Sequence, residues 1–212
     1  MGNVQILLRQ HVGAPCAAIV KAGDEVKKGT KIATPTGLGA NIFSSVYGVV
    51  EEVLEDRIVI RPDEEQKDEF VPIEVEDEND KLALVKEAGI VGMGGAGFPT
   101  GIKLGINLAE TETAELDPEI NPELPADFKL EHSYILINAA ECEPGLEHNI
   151  RQIEEQCDKV VRGVKYCMEI THADKAIFAI KKKNEKAIEI LRKAIASEAD
   201  ISIHLLPDIY PM

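Results

Sequence analysis

His148–Ile170, HNIRQIEEQCDKVVRGVKYCMEI, sets Ile150, Ile153, Val160, Val161, Val164 and Met168 along one side of a helix. That spacing marks an amphipathic helix with a single packed face. Just before it, Ser133–Ala140 (SYILINAA) is an apolar run of strand length, and Lys175–Ile180 (KAIFAI) follows it as a second. NEKAIEILRKAIASEA then starts at an Asn184 N-cap and stacks Ile188, Leu191 and Ile195, and Ile201–Leu206 (ISIHLL) reads as a third strand. Strand, helix, strand, helix, strand implies right-handed crossovers. The expected fold for residues 80–212 is therefore α/β, a truncated Rossmann-like three-layer α/β/α domain built on a parallel sheet.

Residues 1–76 have a different texture. Short apolar runs (VQILL, AAIV, KIATP, ANIFSSV, GVVEEVL, RIVIRP and PIEVE) are separated by turn signals at KAGDEVKKGT and TGLGA, with no sustained helical period. This predicts a small all-β module. VKAGDEVKKGTKIA followed by NIFSSVYGVVEEV resembles the lipoyl and biotinyl carriers, the barrel-sandwich hybrid fold. Such carriers bear their modified lysine at a hairpin tip, where this chain has TPTGLGANIF and no lysine, so neither lipoyl nor biotin is expected. Between the two parts, Asp80 caps a short helix with Leu82, Val85 and Ala88 inward, ended by Gly89 at the C′ position.

Composition narrows the function. The 212 residues carry 38 acidic and 23 basic side chains, a net charge of -15, which repels nucleic acid as a partner. No apolar run approaches the ~20 residues of a transmembrane segment, and the N-terminus lacks a signal peptide's basic region, so a cytoplasmic protein is expected. Cys16, Cys142, Cys157 and Cys167 match no common zinc or iron-sulfur spacing and are expected as reduced thiols without metal. Cys157 and Cys167 fall on the predicted helix as small packed groups, and His148, His172 and His204 share no ligand spacing. The acidic, proline-containing stretch from Leu104 to Glu131 reads as an exposed excursion.

The chemistry concentrates in Gly92–Leu104, GMGGAGFPTGIKL. Gly92, Gly94, Gly95 and Gly97 satisfy a dinucleotide-type glycine pattern, but a helix precedes them and no strand does, so the standard fingerprint fails. Phe98, the stiffening Pro99, a Thr100 able to cap a helix and the lone Lys103 argue against a mere linker. Read from the residues alone, Asn138 and Glu143 serve equally as a strand-end cap and a turn before Pro144.

GMGGAGFPTGIKL together with LINAAECEPG resembles the flavin-binding signature shared by the NADH-oxidising subunit of respiratory complex I and the RnfC component of the Rnf electron-transport complex. The β module beginning LLRQHVGAPCAAIVKAGDEVKKGTKIA is similar to that of RnfC. The ending LLPDIYP and the acidic insertion most resemble relatives associated with proline reductase. The resemblance implies that Gly92, Gly94, Gly95 and Gly97 approach FMN and that Phe98 flanks bound NADH. It further implies that Lys103 brings a positive charge to the flavin or its phosphate, Asn138 bonds the flavin, and Glu143 shapes the nicotinamide side. No residue is assigned as acid or base. Where the complex I signature has arginine and aspartate, this chain has Met93 and Ala140.

The implied function is the N-terminal portion of an NADH-linked electron-transfer protein, its partner a proline reductase or another electron-transfer protein. A non-catalytic docking or scaffold module is the alternative. Relatives continue beyond a YP dipeptide into a second flavin loop and further domains with iron-sulfur clusters, so this length is expected to show little turnover and to hold no cluster. A free sheet edge leaves self-association as a homo-oligomer open.

Overall fold

The computed structural model describes residues 2–93, 95–110, 131–141 and 145–209. The chain divides into two compact units, Met1–Gly105 and Ile106–Met212.

In the first unit, seven short strands form two antiparallel sheets. They are β1 (Val4–Leu7), β2 (Ala17–Ala18), β3 (Glu25–Val26), β4 (Lys31–Thr34), β5 (Ile42–Phe43), β6 (Gly48–Val53) and β7 (Arg57–Pro62). One sheet runs β1-β7-β6-β3 and the other β2-β4-β5. Alternation along the strands directs Ile6, Val50, Ile58 and Ile60 of the first sheet and Ile32 and Ile42 of the second into one core. Ile32, Ile58 and Ile60 have no exposed surface at all. Seven strands closing on so small a core is the barrel-sandwich arrangement expected from the sequence.

Two details differ from that expectation. β3 lies inside the stretch whose residues read as a turn, because only two residues pair there with β6. PIEVE (residues 72–76) forms no strand: the residue ahead of it, Val71, touches the module, its N–H donating to Lys28 O at 2.8 Å. Without a ladder partner its apolar residues gain little, and Ile73 stays 43% exposed.

Helices α1 (Lys81–Glu87) and α2 (Thr100–Lys103) belong to this same unit. Asp80 caps α1 as expected, its carboxylate accepting the Ala83 N–H at 2.9 Å. Gly89 ends it at φ 63°, its N–H donating to Lys86 O. Leu82, Val85 and Ala88 are only half-buried. What holds the helix is its last residue. The Glu87 carboxylate meets the Lys31 ammonium of β4, and Asn41 Nδ2 donates to Glu87 O at 3.0 Å and to its carboxylate at 3.2 Å. Residues 80–105 therefore pack with the β module, whereas the division at 76 and 80 assigns them to the domain that follows.

The second unit contains β8 (Tyr134–Asn138), α3 (His148–Thr171), β9 (Lys175–Lys181), α4 (Glu185–Ala194) and β10 (Ile201–Leu206). The strands are parallel in the order β10-β9-β8. Because that order is sequential, right-handed crossovers put both helices on the same face. Ile153, Cys157 and Val164 of α3 and Ile188 and Leu191 of α4 share one core with Ala176, Phe178 and Ile180 of β9. The three-layer expectation is corrected to two layers among the described residues: the other sheet face presents Tyr134, Leu136 and Asn138, with Leu136 72% exposed. The long helix also breaks its regularity at Gln156 (φ -139°, ψ 37°). Asn184 begins α4 at the N-cap but its side chain makes no capping bond. No helix among the described residues is long and apolar enough to cross a membrane.

At the carboxyl ends of β9 and β10 an ion-pair cluster closes the sheet. Asp208 accepts from the nearly buried Lys181 at 3.1 Å and from Lys183 at 3.0 Å. The hydrogen bonds from Lys183 and Lys181 hold the Asp208 carboxyl below its ordinary range. A depressed carboxylate pKa stabilises the fold fully above the unfolded value of about 4 and stops doing so as pH falls through the lower folded value. The Lys182 N–H, bonded to Leu206 O at 3.0 Å, is the reporter. Its hydrogen exchange, corrected for intrinsic pH dependence, is expected to accelerate below about pH 4 in the native chain, and this pH step is expected to be absent in Asp208→Asn.

Candidate functional site

The glycine-rich loop is a closed hairpin tip. Val91 bridges Pro99, the Gly92 N–H donates to Phe98 O at 2.9 Å, and the Thr100 N–H donates to Ile90 O at 2.8 Å. Beyond this neck, Gly95 and Gly97 turn the chain with φ of 61° and 64°, conformations that cost an L-residue with a side chain about 1–2 kcal/mol. Met93 at the tip is 97% exposed. The N–H groups of Gly95, Ala96 and Gly97 find no acceptor among the described residues. Successive donors without such a partner suit a phosphate oxygen or the carbonyl edge of a heteroaromatic ring.

Behind the tip, Pro99 occupies the N-cap of α2 at ψ 118°, and Thr100 is the first helical residue with no capping bond from a side chain. The cap expected of Thr100 is thereby displaced by one position, because proline's extended ψ already provides the entry into the helix. Lys103, at the end of α2, holds its Nζ 5.9 Å from the centroid of the Phe98 ring. That is cation–π range. Phe98 is 37% exposed, so this cation and an aromatic surface stand together beside the donors of the loop.

Gly92, Gly95, Gly97, Phe98 and Lys103 are thus gathered within the first unit. A cavity of 880 Å³ in that unit is lined instead by Asn41, Glu87, Ile90, Pro99 and Ile102 among others, and by none of these five. Gly94 and Glu143, together with Cys142, most of the acidic stretch and residues 210–212, lie outside the described residues.

Asn138 belongs to the second unit, at the carboxyl end of β8, the end where open parallel sheets bind ligands. It lines a groove of 590 Å³ together with Gln152, Gln156 and Lys159. Its Oδ1 accepts the Ala140 N–H at 3.0 Å, so it does cap the strand end. Its Nδ2 has no partner among the described residues and remains available as a donor.

One residue escapes the sequence reading. Glu141, its side chain 13% exposed, accepts the Asn149 N–H at 2.7 Å and lies 3.5 Å from His148 Nδ1. It thus supplies the N-terminus of α3 with the carboxylate that the N-cap residue Glu147 does not provide. The signal is an acidic residue ahead of a long helix, but its separation exceeds that of a capping box, so spacing alone does not reveal it. The consequence is that the loop after β8 is tied to the helix that follows.

Cys16 and Cys157 are buried free thiols, Cys167 a partly buried one, and burial raises the pKa of all three. Among the described residues no group of His, Cys, Asp and Glu is arranged to hold a metal ion.

Residues 85–212 match the family model described as the Nuo51 FMN-binding domain, and residues 1–78 match that described as the RnfC barrel sandwich hybrid domain. The chain is 36% identical, over 99% of its own length, to the C component of the proton-translocating ferredoxin:NAD(+) oxidoreductase complex of Clostridium ljungdahlii, of which it covers 44%. It is 32% identical, over 98% of its length, to the C component of the Na(+)-translocating ferredoxin:NAD(+) oxidoreductase complex of Acetobacterium woodii, covering 46% of that protein. With the C component of the ion-translocating oxidoreductase complex of Erwinia tasmaniensis it shares 28% identity over 96% of its length and 25% of the relative's. The chain therefore spans less than half the length of these curated relatives.

Proposed function

The chain belongs to the RnfC family, and from that membership we propose that it is the N-terminal portion of a protein that moves electrons between NADH and another redox partner, with FMN as the cofactor. The observation that carries this reading is the glycine-rich loop, in which the N–H groups of Gly95, Ala96 and Gly97, without acceptors among the described residues, precede Phe98 and Lys103 within the segment matched by the FMN-binding family model.

The donor set fits the cofactor. The N–H groups of Gly95, Ala96 and Gly97 are neutral donors able to approach a phosphate or ring without a side chain intervening, and Lys103 adds one positive charge. In a chain of net charge -15 this local cation offsets the repulsion a phosphate would otherwise meet. Phe98 offers an apolar ring for NADH to lie against, and by the family resemblance Asn138, whose Oδ1 caps its strand, is assigned as a hydrogen-bonding residue for the flavin. Glu143 is assigned to the nicotinamide side. When bound, FMN supplies hydride acceptance from NADH and onward release of electrons. The protein's contribution is binding and orientation; no side chain acts as acid or base.

Two acceptors are proposed. Ferredoxin appears in the names of the Clostridium and Acetobacterium relatives, and proline reductase follows from the resemblance of LLPDIYP and the acidic insertion. Reoxidation of the NADH-bleached flavin by each acceptor in a single turnover separates them. A role of this kind places the protein in the cytoplasm, where NADH is supplied.

The test is reconstitution with FMN followed by removal of excess. Absorbance near ~450 nm that stays with the protein and bleaches on NADH addition is the expected result. Lys103→Gln is expected to weaken FMN about 10- to 100-fold, the loss of one charge-assisted hydrogen bond of about 1.5–3 kcal/mol. A protein that stays colourless yet captures a redox partner protein supports the scaffold alternative instead.

A further inference from the structure

His11 is 7% exposed and lies in the loop between β1 and β2, outside every motif assigned above. Its Nδ1 is 3.0 Å from the Val12 carbonyl, so Nδ1 carries the proton and donates. Nε2 is then an acceptor, and it takes the Ala40 N–H at 3.2 Å. Cys16 completes the arrangement: its thiol donates to Ala40 O at 3.3 Å and sits 3.3 Å from Nε2. Both ring nitrogens and both polar groups of Ala40 are engaged, so the imidazole has one orientation. It ties the 11–16 loop to the turn between β4 and β5.

The ring fits tightly as well. A Cβ added to Gly39 would come within 2.6 Å of His11 Cε1, so the turn and the ring are in contact without room for a methyl group. On its other side the His11 segment meets the glycine-rich loop. A Cβ on Gly97 would lie 3.2 Å from Gln10 O and 3.4 Å from His11 Cα. Gly97 is the last glycine of the tip, and among the described residues no backbone hydrogen bond joins Gly95, Ala96 or Gly97 to the rest of the unit. Beyond the bonds of the hairpin neck, the backbone at Gln10 and His11 thus lies close against the tip at Gly97.

We propose that His11 is a positioning residue for the glycine-rich loop: anchored by Val12 and Ala40, it fixes the backbone shelf against which Gly97 rests and so sets the direction of the loop's free N–H groups. His11 touches no ligand. Its functional consequence, weaker FMN binding when the shelf is loosened, rests on the flavin reading above; its structural consequence does not.

Backbone 15N relaxation on the full chain tests it. In the native chain the Gly95 and Gly97 amides are expected to behave as ordered backbone, with an order parameter of roughly 0.8, and to fall below about 0.6 in His11→Leu. His11→Gln, whose Oε1 can still accept the Ala40 N–H, is expected to recover part of the order. Gly39→Ala, whose Cβ would press on Cε1 of the ring, is expected to loosen the loop like His11→Leu and serves if that variant does not fold. Folding is judged by unchanged amide shifts in β6 and β7. Unchanged loop order in a folded His11→Leu or Gly39→Ala protein overturns the proposal, and so does a native loop that is already disordered on this timescale. If the native chain takes up FMN, His11→Leu should weaken it about 10-fold or more, a loss of ~1.4 kcal/mol. If the native chain takes up none, the flavin reading fails while the relaxation result still decides the role of His11.

Discussion

Replacing Phe178 with alanine is expected to lower the stability of the α/β unit by about 3–5 kcal/mol, a large part of the roughly 5–15 kcal/mol that holds a typical domain together. Phe178 lies on the central strand β9 with no exposed surface, among Ala176, Ile180 and the inward faces of α3 and α4. Only one layer of helices covers this sheet among the described residues, so the core on that face is the whole hydrophobic reserve of the described unit. Removing the ring leaves a void that rigid neighbours on β9 and both helices cannot close. Urea unfolding followed by hydrogen exchange is the measurement. Protection in β8–β10 should collapse at much lower denaturant, while β6 and β7 of the first unit keep theirs. Ile180→Val, at the same depth, should cost only about 1 kcal/mol. A change of less than about 1 kcal/mol for Phe178→Ala would show that the strand is not packed as described.

Gly89→Ala should produce the second large effect, and this one reaches the candidate site. Gly89 has a φ of 63°, which an alanine adopts at a cost of about 1–2 kcal/mol. Its new Cβ would also lie 2.4 Å from Asn41 O and 3.0 Å from Phe43 Cε2. Backbone cannot yield like the end of a flexible side chain, so overpacking adds roughly 1–3 kcal/mol. The expected total is about 2–5 kcal/mol. Asn41 also holds Glu87, so relief of the clash pulls on the clamp at the end of α1. The hairpin neck starts at the adjacent Ile90, whose carbonyl accepts from Thr100. Thermal unfolding and FMN uptake should therefore both suffer in Gly89→Ala. A variant with native stability and native flavin affinity would show that this turn neither bears on the fold nor directs the loop.

The local elements were legible because local residues determine them. Asp80 and Gly89 mark the two ends of α1 through a carboxylate cap and a left-handed turn, and both signals lie within four residues of the bonds they make. The α3 stripe likewise predicts Ile150, Ile153, Val160, Val161, Val164 and Met168 as the packed face; Ile150, Ile153, Val161 and Val164 are buried and Val160 and Met168 half-buried against the same core. What the sequence does not reveal are contacts between distant residues. Lys31 and Asn41 reach Glu87 across 56 and 46 positions, and no period announces them. The same holds for Glu141 at the start of α3 and for His11 beneath Gly97. The two-layer arrangement was within reach, since three strands in sequential order place both crossovers on one side, and a third layer requires further chain that the alternation alone does not supply. Of the candidate site, the glycine-rich loop and Lys103 were visible as composition, while the pairing of Lys103 with Phe98 and the capping bond of Asn138 needed coordinates.

The attachment of residues 80–105 to the β module bears on how such proteins are best dissected. Severing the polypeptide after Glu76 would orphan the glycine-rich tip from the scaffolding that Lys31, Asn41 and His11 provide. Severing it between Gly105 and Ile106 would deliver tip, helices and scaffolding as a single transplantable piece.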